Sequence, residues 1–341
     1  MELPYLTADL AGISGALRTT PEDFVVDEQP AYPAAGTGDH VFVRIEKRGI
    51  NTADAAKALA RALGVAERDI GIAGMKDRHA VTRQWLSLPP PVQPDAVSAL
   101  ALEHIKILEV VRHPHKLRTG HVRGNQFELR VRGVNADAVE RARAILDRLA
   151  LPPVAPNWYG EQRFGRDGDN APRGRAIVMG EPAPRDRRLA RLLISALQSE
   201  LFNAWLVARI ADGLYATAIA GDLLHKTSGG QFTCDDPTTD TARLAAGELV
   251  ITGPMFGDRM RRPPDGTPAA AREDAILTAA GLDRDSFAKV RAIAEGTRRD
   301  ASIHVGSPTV TAVADGSIDV SFALPGGAYA TAVMREVMKS S

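Results

Sequence analysis

The chain has 341 residues, of which 44% are hydrophobic and 25% are charged, a balance typical of folded globular proteins. Its single cysteine, Cys234, excludes a disulfide framework and suits a reducing compartment. The start of the chain has neither a basic segment nor an apolar core, and no apolar run approaches the ~20 residues of a membrane helix. We therefore expect a cytoplasmic protein without membrane contact, built from two domains or from one domain with a large insertion.

Positive and negative charges balance over the whole chain, with 42 Lys and Arg against 42 Asp and Glu, but their distribution is uneven. Residues 105–132 carry seven Lys and Arg against two acids, and residues 161–191 carry eight Arg against five acids. Such blocks are typical of a surface that binds a polyanion. They also fit a solvated surface whose acids lie nearby in space, and the charge pattern alone favours this second interpretation.

The first part of the chain mixes strands and helices without a regular repeat, which indicates an α+β fold. In segment 40–47, Val41, Val43 and Ile45 share one face, so their spacing predicts a strand. A helix follows, capped by Asn51 or Thr52 and ended by Gly64. The same patterns predict strands at 23–28, 70–73, 84–88, 105–112 and 126–132, and a helix from Asn135 or Asp137 to Ala150.

A domain boundary is predicted at residues 151–157, LPPVAPN, because three prolines end the preceding helix and stiffen the chain. The second unit should contain a long helix over 186–212. Its apolar stripe is predicted to pack in the core and consists of Leu189, Leu192, Leu193, Ala196, Leu197, Leu201, Trp205 and Leu206. We further expect a loop at 259–268, a strand at 317–323 and a last helix that ends at Met338.

Several common chemistries lack their sequence signatures. There is no Gly-x-Gly-x-x-Gly after a strand and no Gly-Lys-Ser/Thr phosphate loop, so dinucleotide and P-loop functions are not supported. His113, His115 and His121 are closely spaced, but no cysteine and no His-Glu-x-x-His pattern accompanies them. We therefore predict no metal site, and we expect phosphate contact or solvent exposure for these histidines.

The most distinctive segment is 74–85, GMKDRHAVTRQW, where a predicted strand ends in a turn that carries Asp77. Alone, an aspartate between two cations is usually a turn residue. Here five other blocks accompany it: PEDFVVDE at 21–28, GNQF at 124–127, NWYGEQRFG at 157–165, SALQSELFN at 195–203 and LPGGAYAT at 324–331. In this order and spacing, over nearly the whole chain, the sequence resembles the tRNA pseudouridine synthase D (TruD) family.

The resemblance implies an enzyme that isomerises a uridine of tRNA to pseudouridine, in this family uridine-13 of the D-arm, for example in tRNA-Glu. It implies a pseudouridine synthase fold, with a mixed, largely antiparallel sheet flanked by helices, formed by residues 1–155 and 305–341. Residues 156–304 would form an inserted α/β domain of the TRUD type. An isomerisation needs no cofactor, metal or co-substrate, so the expected partner is tRNA, and a monomer is the default expectation.

The resemblance also assigns site residues. Asp77 takes the catalytic role, whereas the sequence leaves open whether its carboxylate attacks the sugar, adds to the base or removes a proton. Arg18 stands where the family commonly has lysine, which is compatible with an ion pair to Asp77 but argues against proton transfer. The remaining candidates are substrate-binding residues, namely Lys76, Arg78, His79, Asn125, Phe127, Glu161, Gln162, Arg163 and Phe164.

Three of these assignments have structural alternatives. Phe127 would stack on a flipped uracil, but it alternates with Leu129 and Val131 as a core strand residue does. Asn125 is better explained by support of the site backbone than by contact with the substrate. Residues 161–164 either line a cleft between domains or brace the interdomain joint.

Two other functional classes compete with the synthase. A noncatalytic RNA-binding or RNA-folding protein would keep the scaffold and lose the aspartate, whereas Asp77 is present. A hydrolase of the glycosidase type would need a second carboxylate, for which Glu22 and Asp23 are the candidates, although nothing in the sequence links either of them to Asp77.

Overall fold

The computed structural model describes residues 2–339, and these divide into two compact units. The large-sheet unit contains residues 10–147, 305–330 and 337–339. The small-sheet unit contains residues 2–9, 148–304 and 331–336. Within residues 2–339, no helix has both the length and the apolar character needed to cross a membrane.

The strands and helices are numbered in chain order. The strands are β1 (Ala16–Leu17), β2 (Phe24–Pro30), β3 (His40–Arg48), β4 (Gly71–Ile72), β5 (Val81–Leu88), β6 (Ile105–His113), β7 (Val122–Arg132), β8 (Ala155–Pro156), β9 (Leu223–Lys226), β10 (Gln231–Thr233), β11 (Leu249–Met255), β12 (Thr297–Asp300), β13 (Ser302–Ile303), β14 (Gly306–Ala312) and β15 (Ile318–Pro325). The helices are α1 (Thr52–Leu63), α2 (Pro94–Ser98), α3 (Ala138–Ala150), α4 (Asn170–Met179), α5 (Arg187–Ala211), α6 (Pro237–Ala245), α7 (Pro268–Ala279) and α8 (Ala330–Met338).

The large-sheet unit is built on a sheet with the strand order β14-β15-β7-β2-β5-β3-β6, with β1 beside β7 and β4 beside β5. Strands β2 and β5 run parallel, and the other neighbours in the described part of this sheet run antiparallel. This architecture confirms the predicted α+β class with a mixed, largely antiparallel sheet. The strands predicted from the sequence are all present; six are one to four residues longer than predicted, and β4 is two residues shorter.

The two faces of this sheet differ in character. On one face, Phe24 and Val26 of β2 lie beside Leu129 and Phe127 of β7, and all four are buried. The opposite face carries exposed or half-buried ion pairs between strands, such as Arg44 with Asp27 and Arg130 with Asp319. Because side chains alternate along a strand, the next pair on the apolar face is Glu28 opposite Asn125. Polar side chains therefore enter this face at the end of β2.

Helix α1 forms where the sequence predicts it. The Asn51 side chain accepts a hydrogen bond from the Asp54 amide at 2.8 Å, and Gly64 adopts a φ of +67° at the C-terminal end. Glycine takes this left-handed conformation at no steric cost, which explains why the helix ends there. Its buried face, which includes Leu59, packs against Val43 and other residues of the sheet. Helix α1 thereby fixes its first residue, Thr52, next to the chain segment after β4.

The small-sheet unit combines helices with a sheet of strand order β10-β9-β11-β12, whose neighbours are antiparallel in the described residues. Helix α5 is its long core helix, as predicted, and Asp186 caps it by accepting from the Arg188 amide. The predicted apolar stripe is wrong at Leu189 and Leu192, whose exposed fractions are 36% and 46%. At this end the buried side chains are instead Ala190, Leu193, Ile194 and Leu197, which follow helical i, i+3, i+4 and i+7 spacing.

Candidate active site

Asp77 lies in the loop between β4 and β5, and hydrogen bonds from α1 and β5 hold this loop in place. The Lys76 amide donates to Oγ1 of Thr52 at 2.8 Å, and the same hydroxyl donates to Oε1 of Gln84 at 2.9 Å. The Gln84 amide group in turn donates to the Gly74 carbonyl at 3.3 Å. Thr52 and Gln84 are fully buried, so the loop is attached to the core by side chains that have few other conformations available.

A buried lysine, Lys47, binds the backbone of Asp77 through a hydrogen bond. Lys47 of β3 has no exposed surface, and its ammonium group donates to the carbonyls of Asp77 at 2.7 Å and of Ile50 at 2.8 Å. Burial lowers the pKa of Lys47 to about 8, although the nearby Asp77 charge opposes this shift. Its charged form therefore depends on these two carbonyls and on the neighbouring carboxylate, which links Lys47 directly to the Asp77 loop.

The Asp77 side chain itself faces solvent, with 46% of its surface exposed. Oδ1 accepts a hydrogen bond from the Arg78 amide at 3.1 Å, and Oδ2 lies 3.4 Å from Nη1 of Arg18. Burial lowers the pKa of Arg18, and the Asp77 charge opposes that shift. The ion pair that the sequence suggests is thus present, between residues far apart in the chain, and it leaves the carboxylate accessible to a ligand from solution.

An aromatic cluster lies beneath Arg18. The guanidinium carbon is 4.0 Å from the centre of the Phe24 ring, a cation–π contact. Phe24 meets Phe127 edge to face at 6.2 Å, and Phe127 meets Phe322 at 5.7 Å. Only 6% of Phe127 is exposed, so its ring is a core side chain in this structure. Its predicted contact with the substrate stays a prediction.

Several buried polar atoms of this unit have no hydrogen-bond partner among residues 2–339. They include Nε of Arg18, Oδ1 of Asn125 and Oγ1 of Thr82. Asn125 belongs to β7 and lies between Glu28 of β2 and Leu324 of β15. A buried polar atom without a partner costs about 1–3 kcal/mol, so each atom has free capacity to bind a ligand group.

The residues that flank Asp77 fall into two groups. The Lys76 ammonium forms a close ion pair with Glu28, and these two side chains are only 9% and 1% exposed. Burial raises the pKa of Glu28, whereas Lys76 lowers it. Arg78 and His79 are exposed, and Nε of Arg78 donates to the Gly49 carbonyl at 3.0 Å. Lys76 therefore fixes the loop to β2, while Arg78 and His79 face solvent.

The remaining predicted site residues, 161–164, belong to the small-sheet unit. Glu161–Arg163 form a short 3-10 helix, in which Glu161 and Gln162 are exposed. Arg163 reaches helix α5, where its guanidinium donates to the hydroxyls of Ser195 and Ser199. Phe164 is half-buried at the end of this helix. The predicted roles of these four residues stay predictions.

The structure corrects the interpretation of one of the three histidines, His113, whereas His115 is exposed as expected. Phosphate contact or exposure is wrong for His113, which is 6% exposed and stacks between Tyr32 and Phe42 at 5.4 and 4.0 Å. Burial lowers the pKa of His113, which favours a neutral imidazole in this aromatic cluster. Strand β6 extends one residue further than predicted and includes His113. The ring is part of the core because it packs between Tyr32 and Phe42.

The basic block at 105–132 is also partly neutralised by acids that are distant in the chain. Arg130 pairs with Asp319 at 2.8 Å, and Arg132 pairs with Asp23 at 2.8 Å and with Asp315 at 3.1 Å. In contrast, Arg118 and Arg123 are exposed and form no ion pair among the described residues, and the Lys116 ammonium donates to a backbone carbonyl. Among the described residues, the Lys and Arg members of this block without an ion pair are thus Lys106, Arg112, Lys116, Arg118 and Arg123.

A family model described as tRNA pseudouridine synthase D (TruD) matches residues 1–184 and 185–337, which is nearly the entire chain. The chain belongs to the tRNA pseudouridine synthase D family. The resemblance noted in the sequence blocks around Asp77 is thereby confirmed at the level of the whole chain. This membership does not by itself identify the residues that act in the site.

Curated relatives agree with this membership. The chain is 50% identical over 346 residues to the tRNA pseudouridine synthase D of Anaeromyxobacter sp., covering 99% of this chain and 97% of the relative. It is 41% identical over 338 residues to the protein of the same name from Thermus thermophilus, covering 98% and 92%. A crystal structure titled as a putative tRNA pseudouridine synthase D from Methanosarcina mazei matches with a TM-score of 0.77 at 23% identity, covering 100% of this chain and 99% of that one. This last likeness shows the fold.

Four residues around the Asp77 loop are not predicted from the sequence. They are Lys47, Thr52, Gln84 and Glu28, and each makes a hydrogen bond or ion pair to the loop 74–77. A signal exists for Lys47, because it continues the buried face of Val41, Val43 and Ile45 in β3. A lysine at an inward strand position is unusual and indicates a special partner.

Proposed function

We propose that the protein isomerises one uridine of a tRNA to pseudouridine, that this uridine is uridine-13 of the D-arm, and that Asp77 is the catalytic residue. The observation that carries this proposal is the Asp77 carboxylate. It is accessible at the surface, paired with Arg18, and fixed by its backbone to Lys47. Membership of the tRNA pseudouridine synthase D family supports the reaction class.

The reaction requires an anion but no net input of atoms or electrons. The N1–C1′ bond of uridine breaks and a C5–C1′ bond forms, while C5 loses its proton and N1 gains one. An aspartate has an ordinary pKa of ~3.9, so its carboxylate is charged at neutral pH unless burial prevents this. The Arg18 guanidinium, 3.4 Å away, supplies a positive charge beside the Asp77 carboxylate.

The target nucleotide must leave its stack before the carboxylate can reach it, at a cost of a few kcal/mol. Asn125 supplies a free oxygen, Oδ1, that accepts an N–H or O–H of the flipped nucleotide. Arg18 supplies a free N–H at Nε and covers the Phe24 ring. Phe127 packs against the Phe24 ring that Arg18 covers, and it presents only the small exposed part of its own ring to the base.

The predicted domains remain part of the proposal. Residues 1–155 and 305–341 would form the catalytic domain, and residues 156–304 the inserted domain. The division of the chain into compact units near residues 147 and 304 supports these two boundaries, whereas residues 2–9 and 331–336 group with the small-sheet unit and not with the rest of the predicted catalytic domain. The protein would act as a monomer in the cytoplasm, and light scattering of the purified protein with and without tRNA tests the first of these two statements.

The alternative of a hydrolase loses its candidate partner residues. Glu22 forms a close ion pair with Arg48, and Asp23 is buried in an ion pair with Arg132 at 2.8 Å. Hydrogen bonds from Arg132 lower the pKa of Asp23, which opposes a role as a proton donor. Asp23 is therefore not available as the acid/base partner that such a mechanism needs, and the Glu22 carboxylate is engaged by Arg48.

The proposal is tested with a tRNA transcript and the purified protein, without added cofactor. Nucleoside chromatography after digestion should show pseudouridine and no free uracil, and primer extension after carbodiimide treatment should stop at position thirteen. A matched transcript with cytidine-13 should show neither signal. Pseudouridine at another position would contradict the uridine-13 assignment. Tight tRNA binding without pseudouridine would instead favour the noncatalytic RNA-binding alternative.

A further inference from the structure

The small-sheet unit contains a cavity of its own, separate in the chain from the residues around Asp77. Its volume is about 480 Å³. Arg191, Ser195 and Gln198 of α5 form one wall, and Tyr159 and residues 293–299 contribute to the others. Ligand pockets commonly measure about 300–1,000 Å³, so this space accommodates a nucleotide-sized group.

The walls of this cavity are held by bonds that do not require a ligand. The Gln198 amide donates to the Phe256 carbonyl at 2.6 Å. Arg298 is buried and pairs with Glu273 at 2.7 Å. Gly296 has a φ of +83°, and a side chain there would meet the Gly257 backbone at 2.6 Å. The cavity is thus preformed, which reduces the ordering that binding would require.

Two arginines without a carboxylate partner among the described residues lie at this cavity, Arg191 in its lining and Arg163 bonded to the lining residue Ser195. Arg163 is positioned by the hydroxyls of Ser195 and Ser199, which are neutral groups, and Ser195 lines the cavity. Arg191 is exposed at the cavity and has no hydrogen-bond or ion-pair partner in the part of the chain that the structure describes. Neither guanidinium forms an ion pair with a carboxylate within residues 2–339, in contrast to Arg298.

One acid also faces the cavity. Among its described lining residues, Glu295 is the only carboxylate, and it pairs with Arg259 at 3.4 Å. The charge of Glu295 is therefore paired with Arg259, which does not line the cavity, and the positive charges of Arg191 and Arg163 are left without a carboxylate partner among the described residues. A planar guanidinium held by hydroxyls is well suited to bind phosphate oxygens in a bidentate manner.

We propose that this cavity is a phosphate-binding subsite that holds one nucleotide of the RNA substrate through Arg191 and Arg163. The proposal rests on the proposed function, because it takes RNA as the source of the phosphate. It assigns the small-sheet unit a direct part in RNA binding. It also gives a role to Arg163, which belongs to the block NWYGEQRFG at 157–165.

The first test measures tRNA affinity against salt concentration for the wild type and for Arg191→Ala. Each lost phosphate contact should reduce the slope of log affinity against log salt by ~0.7 to 0.9. The affinity at low salt should fall about tenfold, which corresponds to one charge-assisted hydrogen bond. Arg173→Ala is the matched control, because Arg173 is exposed in the same unit and already pairs with Asp169. An unchanged slope for Arg191→Ala would overturn the proposal.

A second variant fills the cavity without changing the charge. Thr297 is exposed and lines the cavity, so Thr297→Trp should occupy part of the space and weaken tRNA binding by about tenfold. The control is Thr278→Trp, on the exposed face of α7 and outside the cavity. Equal tRNA binding by the two tryptophan variants, at equal melting temperatures, would also overturn the proposal.

The outcome for this cavity is separable from that of the synthase assignment. Pseudouridine formation should persist in the control Arg173→Ala, because this substitution leaves Asp77, its partners and the cavity unchanged. If the wild type forms pseudouridine while the salt slope of Arg191→Ala equals that of the wild type, only the subsite fails. If the wild type forms none, the proposed function fails irrespective of the cavity.

Discussion

Replacing Lys47 with methionine tests whether a buried charge supports the Asp77 loop. Methionine has a similar length and no charge, so it fills the space that the lysine stem occupies. The substitution removes the donors to the carbonyls of Asp77 and Ile50. Each buried carbonyl without a partner costs about 1–3 kcal/mol, and this loss is the same at every pH.

Removing the ammonium group also changes how the unfolding free energy depends on pH. The pKa of Lys47 is lowered from 10.5 to about 8 by burial and by the charge of Lys76, while Asp77 raises it. Between about pH 8 and pH 10.5, Lys47 carries a proton in the unfolded chain but not in the folded chain. The contribution of Lys47 to the unfolding free energy of the wild type therefore rises with pH in this range. Between pH 7 and pH 10 the increase should be about 2 to 3 kcal/mol. Lys47→Met lacks this increase.

Urea unfolding of both proteins at several pH values measures the effect. Subtracting the two unfolding free energies cancels the titration of the other groups, provided that both proteins unfold in one step. The wild type should gain stability over Lys47→Met as the pH rises. Lys57→Met, which alters an exposed lysine of α1, is the control and should follow the wild type. A difference between wild type and Lys47→Met that stays constant from pH 7 to pH 10 would refute the reasoning.

Three further outcomes are expected. Phe127→Ala should lower the unfolding free energy by about 3–5 kcal/mol, because the ring of Phe127 is enclosed by Phe24 and Phe322. A variant that is as stable as the wild type but no longer captures the substrate would instead indicate that Phe127 stacks on the flipped uracil. Asp23→Asn should lower the melting temperature at neutral pH, since Arg132 holds the pKa of Asp23 below its usual 3.8. That difference should narrow as the pH falls below 3.8, and a constant difference in acid would argue against the pair. Isomerisation should persist in EDTA, and restoration by zinc after a loss would contradict the metal-free chemistry.

Local signals in the sequence are sufficient for some elements. Helix α1 begins with a side-chain cap at Asn51 and ends at Gly64, and both signals lie within the helix ends themselves. Most strands of the large-sheet unit are predictable from alternation for the same reason, whereas β1 and β14 are not predicted. The sequence pattern does not predict helix α7, although Thr267 and Pro268 form a recognisable helix start, because its apolar positions show no clear face. Strands β9 and β10 escape prediction because four and three residues are too few for a period to be seen.

The site depends on contacts that local patterns do not contain. Arg18 and Asp77 come together through the sheet, so only the family resemblance connects them at the level of sequence. The sequence indicates a possible helix cap at Thr52 and a strand residue at Gln84, yet both hold the Asp77 loop. It suggests a surface position for His113 because the aromatic partners of this residue, Tyr32 and Phe42, are distant in the chain.

The most direct test of the catalytic assignment is single-turnover pseudouridine formation by Asp77→Asn, with enzyme in excess over a uridine-13 tRNA transcript. The amide keeps the shape of the side chain and can still accept from the Arg78 amide, but it removes the negative charge that faces Arg18. The side chain is 46% exposed, so the fold and the affinity for tRNA should be retained. We predict tRNA binding similar to the wild type and no pseudouridine. Pseudouridine formed by Asp77→Asn at the wild-type rate would contradict the account.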